Sequence, residues 1–418
     1  MKAVISIPKL GGLVGEQQAT KMLMRPIAGV PLLIRTVLTA VRAGASDVLL
    51  VVPTALSDRF PQTLLEQISQ RGVRIELIQI SEFDPRGWSS WIILRRHLKD
   101  EFLWLPWNWI TTKGFLSQSP LVDIESVDWS KAACTTLHEV DRDRASSALS
   151  PTSVGGVAVT SPESAVAAER FLVANSGKVL DGIHTSFNRR LCWPFVRLLS
   201  HTPVTPNGVT FGGVVVSILS AIAFAHGTYL WSVLGAFLFY IAGLFDEMDG
   251  MLARVKFAES PSGTWLEGAA DGLSYLLLFG GVTIGLSRHY GQIAVWMGMA
   301  LLIGVVLALL TTSLQRRRAT TPDRPNEYLG RFYQLLDNDS ANWISRVVRQ
   351  VQAFQRRGIL IHYIVIFTLI GALPLVFLLA TLGAHLTWIL TLYFNRRFFS
   401  DSSRSEVKRT VSKLKEAL

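Results

Sequence analysis

Charge and cysteine are what this chain has least of. Asp, Glu, Lys and Arg make up 17% of its 418 residues and hydrophobic residues 49%, with a mean hydropathy of +0.33. A soluble globular domain is about 25% charged, so a chain this apolar is not wholly soluble. Disorder, collagen and coiled coils are excluded by the same figures. The two cysteines, Cys134 and Cys192, cannot build a disulfide framework and suit a reducing compartment. The first residues, MKAVISIPKLGG, lack the apolar core and small-residue cleavage site of a signal peptide, so none is expected. Acidic residues are the scarcer sign, 31 against 41 Lys and Arg, which leaves a net charge of +10. In a soluble chain that excess would suggest nucleic acid. In a membrane chain it points to cytoplasmic loops facing anionic lipid, and no nucleic-acid partner is expected.

The composition changes near residue 200. Before about residue 175, short β-branched runs alternate with helix-like stretches. Lys2–Ile7, Asp47–Val52 and Val73–Ile80 read as strands, while Pro31–Ala43 and Ser57–Gln70 read as helices. That rhythm predicts an α/β domain with a mostly parallel sheet. After Pro206 the apolar runs lengthen to Phe211–Ala225, Tyr229–Phe245, Trp265–Leu286 and Ile293–Leu314. A helix needs about 20 such residues to span a bilayer. The block Ile359–Phe394 is too long for one span, and Gly371–Pro374 supplies a turn within it. The expectation is an all-α membrane domain of six transmembrane helices, which puts both of its ends on one side.

Arginines mark that side. Arg316, Arg317, Arg318, Arg324, Arg331, Arg346, Arg349, Arg356 and Arg357 lie between the fourth and fifth expected spans. Arg189, Arg190 and Arg197 precede the first span, and Arg396, Arg397, Lys408 and Arg409 follow the last. By the positive-inside rule the N-terminal domain, the long loop and the tail are cytoplasmic, in a multi-pass protein of the inner membrane. The basic loop fits either anionic-lipid contact or the binding of an anionic substrate by some of its arginines. Ser186–Ser200, with aromatic and aliphatic residues among arginines, reads as an interfacial helix.

The informative residues are carboxylates placed where carboxylates are expensive. Asp246, Asp249, Gly250 and Ala253 share one face of the second span, at i, i+3, i+4 and i+7. Gly263, Glu267 and Asp271 share one face of the third. A short loop joins the two, so four carboxylates can converge at the membrane boundary. Left alone they would repel. A divalent cation with hard oxygen ligands, Mg²⁺ or Mn²⁺, resolves the repulsion, and such ions are usually shared with substrate phosphates. Gly250, Ala253 and Gly263 leave room for a bulky ligand, and Arg254 can pair with a phosphate.

The stretch Asp246-Glu-Met-Asp249-Gly250-Met-Leu-Ala253-Arg254, eight residues, then Gly263-Thr-Trp-Leu-Glu267-Gly-Ala-Ala-Asp271 resembles the signature of the CDP-alcohol phosphotransferases. Seven of the eight fixed positions of D-x2-D-G-x2-A-R-x8-G-x3-D-x3-D match with the spacing intact, and Glu267 stands where the family has Asp. The resemblance covers roughly residues 185–397, including Thr205-Pro206-Asn207 before the first span. It implies transfer of a substituted phosphate from a CDP-alcohol donor to an acceptor hydroxyl with release of CMP. Asp246, Asp249, Glu267 and Asp271 would ligate two Mg²⁺ or Mn²⁺ ions, with Asp271 also the general base. Gly250, Ala253, Arg254 and Gly263 would contact the nucleotide. A homodimer through the membrane domain is implied in the same way.

The N-terminal half resembles MobA-like nucleotidyltransferases through Lys21 and the segment Pro26-Ile-Ala-Gly29-Val-Pro31-Leu. The family's glycine-rich loop carries an arginine that Gly11-Gly12-Leu-Val-Gly15-Glu16 lacks, and Leu103–Trp109 lacks its metal-binding aspartate. The domain is therefore expected to be degenerate, with Lys21 a vestige. The order of the two halves is similar to that of bifunctional inositol-phosphate cytidylyltransferase/di-myo-inositol-phosphate-phosphate synthases. That layout gives a first alternative, in which the N-terminal domain also makes the CDP-alcohol from CTP. A second is a non-catalytic cation-binding membrane protein. The expected division is an α/β domain at 1–175, a linker and interfacial helix at 176–205, the membrane domain at 206–397 and a basic tail at 398–418. His362 and His385 read as packed residues, and Trp104, Trp107 and Trp109 as structural.

Overall fold

The computed structural model describes residues 1–7, 16–57, 60–81, 83, 88–98, 102–116, 155–177, 183–319, 328–339, 341–351 and 357–399. The glycine-rich segment at 11–15, Cys134, Arg324, Arg356 and the tail from residue 400 lie outside them. The chain divides into two compact units. The first holds Met1–Ser176, Val196–Pro203 and Val255–Phe257, and the second holds Gly177–Phe195, Val204–Arg254 and Ala258–Leu418.

The first unit is built on β1 (Lys2–Ser6), β4 (Asp47–Pro53), β5 (Arg74–Ile80) and β6 (Phe102–Pro106), all parallel, in the order β5-β4-β1-β6. Its helices are α1 (Glu16–Leu23), α2 (Leu32–Arg42), α3 (Thr54–Ser57), α4 (Gln62–Ser69), α5 (Trp88–Arg95), α6 (Lys113–Leu116) and α7 (Pro162–Ala174). The inner strands are covered on both faces, which is why KAVIS and DVLLVVP are almost continuously apolar. Ala3 and Ile5 join one apolar cluster with Leu33 and Val37 of α2. Val4 joins another with Trp91 and Leu94 of α5, so alternate residues of β1 serve opposite faces. Edge strand β5 alternates exposed and covered positions over its first residues instead.

The three expected strands are present within a residue at each end. The helix expected at Ser57–Gln70 is α4, which starts later, at Gln62, and ends at Ser69. Pro61 stands at the N-cap of α4, and the residue before a proline is pushed out of the helical region. The conspicuous Pro26–Pro31 segment is a hairpin of β2 (Pro26–Ile27) and β3 (Val30–Pro31). Ala28 and Gly29, at φ 47° and 77°, form its two-residue turn. Arg35, fully buried, donates to the Ile27 carbonyl at 2.8 and 3.1 Å and to that of Ala28 at 3.3 Å, and burial lowers its pKa to about 9. The Ala28 N–H donates to buried Glu169 of α7 at 3.1 Å. Burial alone would raise the Glu169 pKa, but this bond and those from Arg197 and His201 outweigh it and lower the pKa overall. A short ladder of β7 (Trp109–Ile110) against β8 (Val157–Ala158) completes the unit.

The second unit is helical: α8 (Ile183–Ser200) and α10 (Tyr229–Lys256), whose last residues from Val196 and Val255 fall in the first unit, with α9 (Pro206–Ala225), α11 (Pro261–Tyr290), α12 (Gln292–Ala319), α13 (Tyr328–Asn338), α14 (Trp343–Val351), α15 (Arg357–Leu369) and α16 (Leu373–Phe399). Five of these, α9 to α12 and α16, are long and apolar enough to cross a membrane. The sixth expected span corresponds to α15, which is described over 13 residues. Those 13 residues cover about 20 Å at 1.5 Å per residue, and a sixth span there is compatible with the fold. Gly371, at φ 74°, makes the expected turn into α16. Helix α8 turns Phe187, Leu191, Phe195 and Leu198 outward while burying Asn188, Arg189, Cys192 and Val196. An exposed apolar stripe over a partly polar inner face suits a helix lying at a membrane interface.

Helices α9 and α11 run parallel in close contact. Ser217 Oγ donates to Ser274 Oγ at 3.0 Å. Beyond that pair, Gly281 and Gly285 lie directly against the backbones of Ala221 and Phe224, where a side chain would collide. Small residues four apart allow such an approach, and it sets the two N-termini side by side. The histidines have packing roles. His385 Nε2 meets the Ala300 carbonyl at 3.0 Å while its Nδ1 accepts from Trp388 at 3.0 Å, and His362 lies against the rings of Tyr240 and Phe187.

Candidate functional site

A cleft of about 310 Å³ opens between the N-terminal turns of α9 and α11 and the C-terminal turns of α10. Pro206, Asn207 and Thr210 come from α9, and Asp249, Gly250, Ala253 and Arg254 from α10. Ala258, Glu259 and Ser260 come from the connecting loop, and Pro261, Gly263, Thr264 and Glu267 from α11. Both helix starts are built alike. Thr205 caps α9 by accepting from the Gly208 N–H at 3.2 Å, and Ser260 caps α11 by accepting from the Gly263 N–H at 3.0 Å. Each cap is followed by proline, which suits the first helical position because no N–H is needed there. Two helix N-termini thus direct the positive ends of their dipoles at one cleft, a setting for an anion.

Asp249 and Glu267 add carboxylates to the lining, with Asp246 close to both. Asp246, Asp249 and Glu267 each offer an oxygen within 4.8 Å of the other two. Asp249 is 4% exposed. Its Oδ2 accepts from the Thr210 hydroxyl at 2.5 Å, and its Oδ1 is buried without a hydrogen-bond partner. A buried carboxylate oxygen left unpaired beside two more carboxylates is unfavourable without a positive ligand. The oxygen-only donor set suits a hard divalent cation. The residues therefore fit such an ion.

Of the residues singled out from the sequence, Asp246, Asp249 and Glu267 come together as expected from two helix faces. Asp271, one turn further along α11 and half-buried, is outside this three-carboxylate group. Gly250, Ala253, Arg254 and Gly263 all line the cleft. Two of these are small for a visible reason. A Cβ on Gly250 would press on the Arg254 guanidinium at 3.3 Å, and one on Gly263 would meet Ser260 Oγ at 3.0 Å. Thr210, Ser260, Thr264 and Glu259 were not anticipated. The Thr-Pro and Ser-Pro pairs that start α9 and α11 carry the signal that could have found Ser260, whereas nothing in the local sequence distinguishes Thr210.

In the first unit Lys21 is exposed near the end of α1. Trp104 donates to Ser6 Oγ at 2.9 Å and Trp107 is 3% exposed. Asn108, in the turn after β6, donates to the Val159 carbonyl at 3.2 Å. These are fold-building contacts.

Residues 203–393 match the family model of CDP-alcohol phosphatidyltransferase. The match takes in all of α9 to α12 and the three-carboxylate group, and it leaves the first 202 residues outside. This part of the chain is similar to a class of membrane transferases acting in lipid biosynthesis, a class usually dependent on divalent cations. No curated protein matches the chain.

Proposed function

We propose that the chain is a membrane CDP-alcohol phosphotransferase, moving a substituted phosphate from a CDP-alcohol to an acceptor hydroxyl and releasing CMP. The observation that carries this reading is the buried, unpartnered Asp249 Oδ1 within a three-carboxylate group, at a cleft that two helix N-termini also line. Asp246, Asp249 and Glu267 would hold Mg²⁺ or Mn²⁺, two ions with Asp271 as a further ligand. When bound, these ions supply charge neutralisation for a diphosphate.

The chain's own groups do the rest. The N-terminal turns of α9 and α11 and the Arg254 side chain bind the anionic diphosphate, while Gly250, Ala253 and Gly263 let the nucleotide approach the backbone. The acceptor oxygen attacks the β-phosphorus, and the bond from that phosphorus to the bridging oxygen of CMP breaks. Asp271, standing apart from the three-carboxylate group, takes the acceptor's proton as general base.

The first unit is read as a nucleotidyltransferase-like domain without a working site of its own, in which Lys21 is vestigial. By the positive-inside rule, the arginines at the end of α12 and in the following loop support a cytoplasmic N-terminal unit and C-terminus at the inner membrane. A homodimer through the membrane helices belongs to the same reading. The test is CMP release by the purified full chain from a panel of CDP-alcohols with Mg²⁺ or Mn²⁺. Release that needs both a CDP-alcohol and the metal supports the reading. Metal uptake without CMP release from any of them favours a cation-binding membrane protein instead.

A further inference from the structure

Thr210 lies one turn into α9, on the face that also brings Pro206 and Asn207 to the cleft. Its hydroxyl has one proton and two acceptors within reach, the Pro206 carbonyl at 3.2 Å and Asp249 Oδ2 at 2.5 Å. A threonine inside a helix commonly donates to the carbonyl four residues back. Here the shorter, charge-assisted bond crosses to α10 instead. Asp249 is only 4% exposed. With Oδ2 held by the hydroxyl, Oδ1 is the oxygen left buried and unpartnered beside Asp246 and Glu267.

We infer that Thr210 is a positioning residue that fixes the Asp249 carboxylate so that Oδ1 is available to a divalent cation, and so sets cation affinity from outside the acidic signature. The inference rests on the carboxylates being cation ligands. Hydrogen bonds to ligating carboxylates orient them, and their loss typically costs 10–100-fold in metal affinity. Valine keeps the shape and β-branching of threonine but cannot donate, whereas serine keeps the donor and loses only the methyl group.

The experiment titrates the purified full chain in detergent with Mn²⁺ alone, following free Mn²⁺ by electron paramagnetic resonance and thermal unfolding in parallel. Thr210→Val is expected to weaken Mn²⁺ binding by about 10–100-fold and to shrink the Mn²⁺-induced rise in Tm, measured from each protein's own metal-free Tm. Thr210→Ser is expected to bind close to the unsubstituted chain. Equal binding by Thr210→Val overturns the inference. So does an equal loss in Thr210→Ser, which would make the methyl contact the important one. An unsubstituted chain that takes up no Mn²⁺ overturns the carboxylate reading itself, a distinct result.

Discussion

Gly285 of α11 rests directly on the Phe224 carbonyl of α9, with no room for a Cβ between them. Together with Gly281 against Ala221, this contact holds two long helices parallel, and their N-terminal turns form one wall of the cleft some five turns away. The seam that fixes the site is therefore remote from the chemistry.

Gly285→Ala is expected to force the helices apart. Overpacking of this kind costs about 1–3 kcal/mol, so the Tm in detergent should fall and CMP release should fall with it, since the N-termini no longer flank the same anion. Gly280→Ala, at a position where a Cβ meets nothing within 4 Å, is the control and should match the unsubstituted chain. A Gly285→Ala variant as stable as this control would remove the seam from the account of the site.

Asp271→Asn separates the base from the three-carboxylate group. It should cut turnover by about 10²–10⁴-fold while nucleotide binding, measured as CMP affinity, largely survives. Near-normal turnover would take Asp271 out of the mechanism. A matching loss of CMP affinity would make it a binding residue.

The signature in the sequence made most of this site legible, because helical spacing alone puts Asp246 with Asp249 on one face and Glu267 with Asp271 on another. It could not show which of the four acids bring their oxygens within 4.8 Å of one another, as Asp246, Asp249 and Glu267 do. Four residues of α11 carry Asp271 about 6 Å further along the axis, and whether it reaches the group depends on how α10 and α11 cross. Thr210 was invisible for a related reason: its partner is 39 positions away on another helix. In the first unit, apolar runs announced β1 and β4, while Pro61 set the start of α4. The apolar block from Ile359 to Phe394 announced two helices, α15 and α16, with the Gly371 turn between them.

Asp339, in the turn after α13, ties that segment to the end of α16. It accepts from Arg397 Nε and Nη2 at 2.7 Å each, from Ser345 at 2.6 Å and from Asn342 at 3.3 Å. The Arg397 bonds above all hold its pKa down to about 2, below the ordinary 3.8. A carboxyl whose pKa is lower folded than unfolded adds stability that is present above the ordinary value and is lost as pH falls towards the folded one. Amide exchange across residues 341–351 should therefore quicken as pH drops from about 5 to about 2, once corrected for intrinsic rates. Asp339→Asn should show fast exchange there already at neutral pH. Protection unchanged in Asp339→Asn would contradict the tie.

The central claim is that chemistry resides in the carboxylates of α10 and α11 and not in the first unit. The most direct measurement is CMP release from a supplied CDP-alcohol by three full-length proteins: unsubstituted, Asp249→Ala and Lys21→Ala. The expected result is no release above background for Asp249→Ala and nearly unchanged release for Lys21→Ala, with no pyrophosphate formed from CTP and phosphorylated alcohols by the unsubstituted chain. Release that survives Asp249→Ala would contradict the claim. Pyrophosphate formation that is lost in Lys21→Ala would contradict the vestigial reading of the first unit and make the chain bifunctional.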